Sequence, residues 1–348
     1  MYKSFKRFVK GFTAFVIISI VILVLMFFIS TDNYLVRPGD AEPLSELITV
    51  EGGNNNSKGE FYLTTVNQTR ANILIWLYGY FNPYVELVER KDVVPEEMDV
   101  EDYREMMDQY MEDSKNMSQT VALKRAGYEI KIESDGVEVV EIPESSPAKG
   151  VLKTGDLVKK IDGKEVVLAE EMVEKIRERS PGEIVRLIFE RNDQRYEESI
   201  QAVESDDDPN SAALEVFIKT SNWSPVFPLE VTIDSKNIGG PSAGLMFALE
   251  IKNQLTDYDL TAGERIAGTG TINMEEEVGS VGGVRHKMVA AERAGIRYFL
   301  APKGNSWVAE YVSDYYDDFD AVIVESLDDV LDFLEHLRKD NDDSKLAS

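Results

Sequence analysis

Two side chains 45 positions apart, Ser242 and Lys287, could together do nucleophilic chemistry. Ser242 stands in "NIGGPSAGLMFALEI", residues 237–251, where two glycines and a proline lead into an apolar, helix-like run. Helix N-termini carry unpartnered backbone N–H groups and partial positive charge. Pro241 suits a first helical position, because the N–H it lacks is not needed there. Gly239 and Gly240 let the backbone approach a bound chain closely, so Gly240 is read as support for a site at Ser242. A serine there sits where amides can hold a developing oxyanion. Its hydroxyl still needs a base. The chain has no Cys and two His, His286 and His336, and His336 falls in the closing helix beyond an apolar stripe. A helix starting near Val284 would place Val284, Lys287, Met288 and Ala291 on one apolar face, with Arg285 and His286 on the polar side beside Glu292 and Arg293. Burial disfavours an ammonium, so an amine there should fall from about 10.4 towards about 7–8, at a cost of roughly 3–4 kcal/mol. A neutral amine of that kind can take the proton of a serine hydroxyl. Taken singly, Ser242 also reads as an ordinary helix start and Lys287 as a snorkelling side chain.

The elements that must position these groups occupy the last 130 or so of 348 residues. "LEVFIK" and "PLEVTID" read as strands, Ser242–Leu255 as a helix, "RIAGTGTIN" as a strand and Val284–Ala294 as a helix. "YFLAP" and "AVIVES" are further strands, with a short helix at Trp307–Tyr311 and a closing one at Leu327–Leu337. Alternating helices and strands predict an α+β or α/β domain, bounded on its N-terminal side by "SDDDPN". Further upstream, "RPGDAEPL" reads as a turn-rich exit, followed by two short strands near Leu47–Val50 and Phe61–Val66. The pattern from Ala71 to Lys124 is helical and very acidic, as a solvated helix face would be.

At the amino end, Lys3, Lys6, Arg7 and Lys10 precede the uncharged run Phe12–Ile29. Eighteen helical residues reach roughly 27 Å, close to a bilayer core of about 30 Å. Basic residues before the run place the amino end in the cytoplasm and the rest outside. The run is longer than a signal-peptide core and no A-x-A-like site follows it, so an uncleaved anchor in the cell membrane is expected. The formal charge of −27 argues against nucleic-acid partners. Without Cys, thiol nucleophiles and zinc ribbons are excluded, and neither a metal nor a cofactor is expected.

Between Val121 and Glu204 the segments "GVEVVEI", "SPAKGVLKTGDLVKKIDGKEV", "LAEEMVEKIRER" and "GEIVRLIFER" follow one another as strand, turns, helix and strand. This order resembles a bacterial PDZ domain over about 80 residues. The resemblance implies that an extended peptide adds to a sheet edge while loop amides hold its terminal carboxylate. In "AGYEI" those positions are Gly127 and Tyr128 in the loop, with Glu129 and Ile130 on the pairing strand. The alternative is a module that packs against its neighbour or reads internal segments.

"GGPSAGLMFALEI", "GTGTINMEEEVGSVGGVRHKMVAAERAG" and "FLAPKGN" occur in that order from about Pro228 to Asn305. They resemble the Lon-type serine protease domain. The resemblance implies that Ser242 is the nucleophile, that Lys287 is the general base and that Thr269 helps to position the amine. The sequence departs from the family's pattern in "MEEEVGS", where a glycine is usual. It also contains no G-x-x-x-x-G-K-[ST] phosphate loop, so no nucleotide partner is expected. Anchor (1–31), connecting region (32–120), PDZ domain (121–204) and Lon-type domain (211–340) together resemble the ATP-independent, membrane-anchored PDZ-containing Lon-like proteases of Gram-positive bacteria. The expected partners are peptide or small membrane-protein substrates, and by analogy with ring-forming relatives a homo-oligomer. "GPSAG" also fits the G-x-S-x-G elbow of α/β-hydrolases, but "SKNIGGP" separates it from its strand. "SPAK" at Ser146 matches S-x-x-K but lies in the PDZ turn. A membrane-tethered peptide-binding scaffold without catalysis is the other reading.

Overall fold

The computed structural model describes residues 2–54, 57–82, 85–95, 98–205, 211–236 and 238–346. The chain forms two compact units, Met1–Tyr128 with Leu229–Ser348, and Glu129–Pro228 between them in sequence.

The first unit opens with helix α1 (Tyr2–Phe28), in whose apolar stretch Lys10–Phe28 no residue is buried by protein. Strand β1 (Ser30–Pro43) follows directly, where a turn-rich exit is expected from sequence. Its register slips between Pro38 and Ala41, a bulge that accommodates the N–H Pro38 lacks. Gly39 lies so close to Thr65 that a Cβ would clash with the Thr65 backbone, which only glycine avoids. After β2 (Ile48–Val50), strand β3 (Glu60–Asn72) pairs antiparallel with β1. Then come α2 (Ile73–Phe81), β4 (Glu86–Glu89), α3 (Arg90–Val93) and α4 (Val100–Arg125), the last capped by Asp99, whose carboxylate accepts from the amides of Glu101 and Asp102. The first ten or so residues of α4 are acidic and mostly exposed, but from Met111 onward the helix buries Met111, Ser114, Ser118, Val121 and Ala122. Their spacing of three and four residues makes one face, so the helix is not the fully solvated one its charge suggests.

The second unit contains β5 (Lys131–Glu133), β6 (Gly136–Glu141), β7 (Leu157–Ile161), β8 (Lys164–Glu165), α5 (Ala169–Arg177), β9 (Ile184–Arg191), β10 (Gln194–Gln201), β11 (Val203–Glu204), β12 (Ala212–Ala213), β13 (Phe217–Ser221) and β14 (Ser224–Val226). Its main sheet runs β10-β9-β7-β6-β13, with β8 beside β7. Asn192 and Asp193 both take positive φ and turn β9 tightly into β10, the conformation a two-residue hairpin needs. Val137, Val139, Val158, Leu187 and Phe189 project from the sheet into a core closed by Met172 and Ile176 of α5. Asp156 is buried at a turn, where its carboxylate accepts from the Arg191 guanidinium (2.6 and 2.5 Å) and from the Lys153 amide (2.8 Å).

The chain then returns to the first unit with β15 (Val231–Ile233), paired with β2, and α6 (Gly244–Gln254). It continues through β16 (Arg265–Gly268), β17 (Thr271–Ile272), β18 (Val278–Gly279), α7 (Val284–Arg293), β19 (Tyr298–Pro302), α8 (Ser306–Ser313), β20 (Asp320–Val324) and α9 (Leu327–Leu346). One mixed sheet, β20-β19-β16-β3-β1-β4, spans the unit, parallel from β20 to β3 and antiparallel beyond. Alternate side chains serve opposite layers. Phe61, Leu63, Ile266 and Leu300 face the core of α4, α6 and α9, while Tyr62, Ala267, Phe299 and Ala301 face that of α7 and α8. A helix in the first layer is surrounded on all sides, and α6 is accordingly buried from Gly244 to Ile251 and apolar there except for Glu250.

The molecule is α+β, but it divides differently from the sequence reading. Residues 32–120 are not a separate connecting region, because β1, β3 and β4 supply half of the sheet that carries β16 and β19. The PDZ strands fall within a compact unit, Glu129–Pro228, that also takes in β13, paired with β6, and β14, paired with β5.

Candidate active site

The turn before α6 is held from beneath by α4. Gly240 takes φ +86°, and its N–H donates to the Met107 carbonyl at 2.8 Å. Ser114 Oγ donates to the Pro241 carbonyl (3.1 Å), and Ser118 Oγ to that of Gly244 (2.9 Å). A Cβ on Gly244 would press on Ser114 and Ile272, so small residues on both helices permit the approach. The helix proper begins at Gly244, two residues later than the sequence suggests. Pro241 is therefore part of the turn and not the first helical residue, and the Gly240 amide is engaged by Met107. Ser242 is half-buried at the mouth of the helix.

Gly283, with φ +72°, starts α7, and Lys287 lies one turn in, 4% exposed, on the face shared with Val284 and Met288. Its Nζ is 2.7 Å from Ser242 Oγ and 2.8 Å from Thr269 Oγ1. Thr269 is fully buried between β16 and β17, and its hydroxyl donates to the Ser242 carbonyl (2.9 Å), which also accepts from the Gly270 amide (3.0 Å). With its one proton directed at that carbonyl, Thr269 Oγ1 must accept from Lys287. The amine is thereby oriented, and in its neutral form the lone pair can face Ser242 Oγ. Burial alone pushes Lys287 down from 10.5 to about 8. Among the described residues no carboxylate forms an ion pair with it. The arrangement can take a proton from Ser242 near neutral pH and return it later.

The structure brings Ser242, Lys287 and Thr269 together, with Gly240 in the turn beside them. His286 differs from expectation. It is buried, not on the polar side, and lines a cavity with Pro38, Val289 and Tyr311, where desolvation lowers its pKa from 6.5. Gly127, Tyr128, Glu129 and Ile130 do not form a carboxylate-binding loop and strand. Gly127 is left-handed (φ +90°), and its amide donates to the Lys124 carbonyl while that of Tyr128 donates to Leu123. These two bonds terminate α4 as a Schellman cap, so both amides are occupied. Glu129 and Ile130 precede β5, which starts at Lys131. Sequence reasoning missed Met107, Ser114 and Ser118. The signal for the serines was there, as two small residues four apart within an otherwise charged helix.

A family model for the Lon protease (S16) C-terminal proteolytic domain matches residues 231–336, and one for the PDZ domain matches residues 125–201. The chain is 37% identical over 103 residues to a Lon protease of Roseiflexus castenholzii, covering 29% of this chain and 13% of that protein. It is 38% identical over 94 residues to a Lon protease of Clostridioides difficile, covering 27% and 12% respectively. The chain therefore spans only a small part of the length of the curated relatives it matches. The crystal structure of the PDZ domain of an SdrC-like protein from Listeria monocytogenes is 24% identical and covers 25% of this chain and 92% of that one, with a TM-score of 0.24. Residues 231–336 thus match the Lon-type proteolytic domain and residues 125–201 the PDZ domain, and the chain is similar to Lon-like proteins over the first and to PDZ domains over the second.

Proposed function

We propose that the protein is a membrane-anchored serine endopeptidase in which Ser242 is the nucleophile and Lys287 the general base. The observation that carries this reading is the 2.7 Å approach of a buried, pKa-lowered amine to the hydroxyl at the mouth of α6. Lys287 takes the Ser242 proton as Oγ attacks the scissile carbonyl, and the turn ahead of α6 offers backbone amides to the oxyanion. The resulting ammonium protonates the leaving amine, which departs and leaves an acyl-serine. Water, deprotonated by the same amine, attacks the ester, and the proton returns to Ser242 as the acid product leaves. Thr269 keeps the amine aimed throughout.

Helix α1 supports the anchor, and the basic residues Lys3, Lys6, Arg7 and Lys10 favour an extracytoplasmic catalytic unit. The sequence carries no phosphate loop, so the reading is of cleavage without ATP. Suitable substrates for such cleavage are secreted peptides and small membrane proteins that are already extended. The PDZ unit recruits them. Its edge strand β13 lies beside α5, where the Ala169 amide donates to Thr220 Oγ1, and a peptide adding to that edge is the mode such domains use.

Purified full-length protein in detergent should cleave unstructured peptides without nucleotide, and Ser242→Ala should abolish cleavage while retaining peptide binding. Equal cleavage by the Ala variant defeats the enzyme reading. Binding without cleavage by the wild type leaves a tethered scaffold instead.

A further inference from the structure

Helix α2, "ILIWLYGYF", has no charged residue and no fully buried side chain. A nine-residue helix is marginal in water, and one that is apolar all round has no solvated face to support it. Its placement resolves the contradiction. The β1–β3 pair starts at Ser30 opposite Asn72, so α1 enters and α2 leaves from the same end of this ribbon. The Ile73 amide donates to the Ile29 carbonyl at 3.1 Å, and Thr31 Oγ1 donates to the Ala71 carbonyl at 2.8 Å. The first turn of α2 is thereby tied to the last residue of the apolar span. Asn72 caps that turn by accepting from the Ile75 amide.

One face of α2 is fixed on the protein. A Cβ at Gly79 would run into Leu35 and Leu87, so glycine lets the helix lie directly on β1 and β4. The remainder projects outward: Tyr78, Tyr80 and Phe81 are 54%, 69% and 77% exposed. Trp76 stacks on Tyr80 with ring centroids 5.8 Å apart, and Tyr80 meets Phe81 edge to face at 5.3 Å. Trp and Tyr are the side chains that concentrate at the membrane–water boundary, with an apolar body and a polar tip.

We propose that α2 is a second membrane contact, an interfacial helix that lies in the outer-leaflet boundary beside the end of α1. The occupant of its outer face is phospholipid, because this surface is continuous with the span Lys10–Phe28, none of whose residues is buried. The proposal rests on the reading of α1 as a membrane anchor. Two contacts would restrain the catalytic unit at the bilayer surface, where short peptides and juxtamembrane segments of small membrane proteins are presented.

The chain has three Trp, Trp76, Trp223 and Trp307. The full-length Trp223→Phe/Trp307→Phe protein, reconstituted into phosphatidylcholine vesicles, leaves Trp76 as the reporter. Lipids brominated near the headgroup end of the acyl chain should quench it more strongly than lipids brominated near the chain terminus. That ranking corresponds to a helix about 5–10 Å into the headgroup–acyl boundary. As a second measurement, Trp76→Phe in the otherwise native chain should remove this component of the quenching. Protein that floats with the vesicles while Trp76 ignores brominated lipid and yields to aqueous iodide overturns the proposal and leaves the anchor intact. Trp76 shielded from both quenchers only as protein density rises would mean a second copy of the chain covers α2, which also overturns it. A chain that does not float with vesicles removes the anchor and α2's role together.

Discussion

Replacing Lys287 with Met should abolish peptidase activity and at the same time make the catalytic unit more stable. The amine is 4% exposed, and burial lowers it from 10.5 to about 8. At about 1.4 kcal/mol per pH unit, holding the ammonium in that site costs the native state about 3 kcal/mol. Methionine fills a similar volume without the charge, but gives up the hydrogen bonds to Thr269 Oγ1 and Ser242 Oγ, a loss of about 2 kcal/mol. The net gain at pH 7 should be about 1 kcal/mol, or roughly 2–4 °C in Tm for a domain of this size. Its pH dependence has a definite sign. Between about 8 and 10.5 the unfolded chain binds the Lys287 proton and the native one does not, so wild-type stability rises with pH through that window. The penalty is full below pH 8 and gone above 10.5, so the advantage of Lys287→Met should disappear by then. Denaturant titrations of wild type and variant, both carrying Trp223→Phe so that fluorescence reports the catalytic unit, measure the difference at each pH. A variant no more stable at pH 7, or an advantage unchanged at pH 10.5, refutes the buried-amine argument. The activity of the wild type should rise along the same titration, with a limb near pH 8.

Thr269→Val keeps shape but removes the acceptor that orients the amine, so kcat should fall about 100-fold with KM nearly unchanged, and Thr269→Ser should restore most of it; equal loss in both variants would point to packing instead. Glu250 is buried on α6 and pushed up to about 7 by desolvation, with Gln254 Nε2 donating to it at 2.8 Å. Its native state holds a proton that the unfolded chain releases above 4.5, so its contribution is lost as pH rises through 4.5 to about 7. Glu250→Gln should flatten that decline and add about 2–3 kcal/mol above pH 7, measured by urea unfolding across pH. Asp156→Ala removes the acceptor for the Arg191 guanidinium and the Lys153 amide and should cost the PDZ unit about 1–3 kcal/mol, seen as earlier unfolding at Trp223.

Local chemistry was legible in the order of residues. The glycines and proline ahead of Ser242 mark a tight turn into a helix, and the helical period alone places Lys287 on an apolar face. The apolar amino-terminal helix, the α+β content and the alternation of the PDZ strands are likewise short-range patterns. Three of the misreadings share a cause, which is that pairing partners lie far away in sequence. The segment at Pro38 looks like a turn until β3 is seen beside it, and the acidic α4 looks solvated until α6 covers its serines. His286 looks polar-facing until Tyr311 and Pro38 close over it. Gly127 looks like a ligand loop, yet the same residue ends a helix.

The one-dimensional chain specified which residue types were present, which helical face each occupied and where the backbone could turn sharply, because these depend on neighbours within a few positions. Whether Ser242 and Lys287 meet depends on β16, β19 and β3 aligning into one sheet that sets α6 and α7 on its opposite layers, with Thr269 buried at the strand end between them. Only that three-dimensional packing excludes water from the amine, and exclusion of water is what lowers its proton affinity.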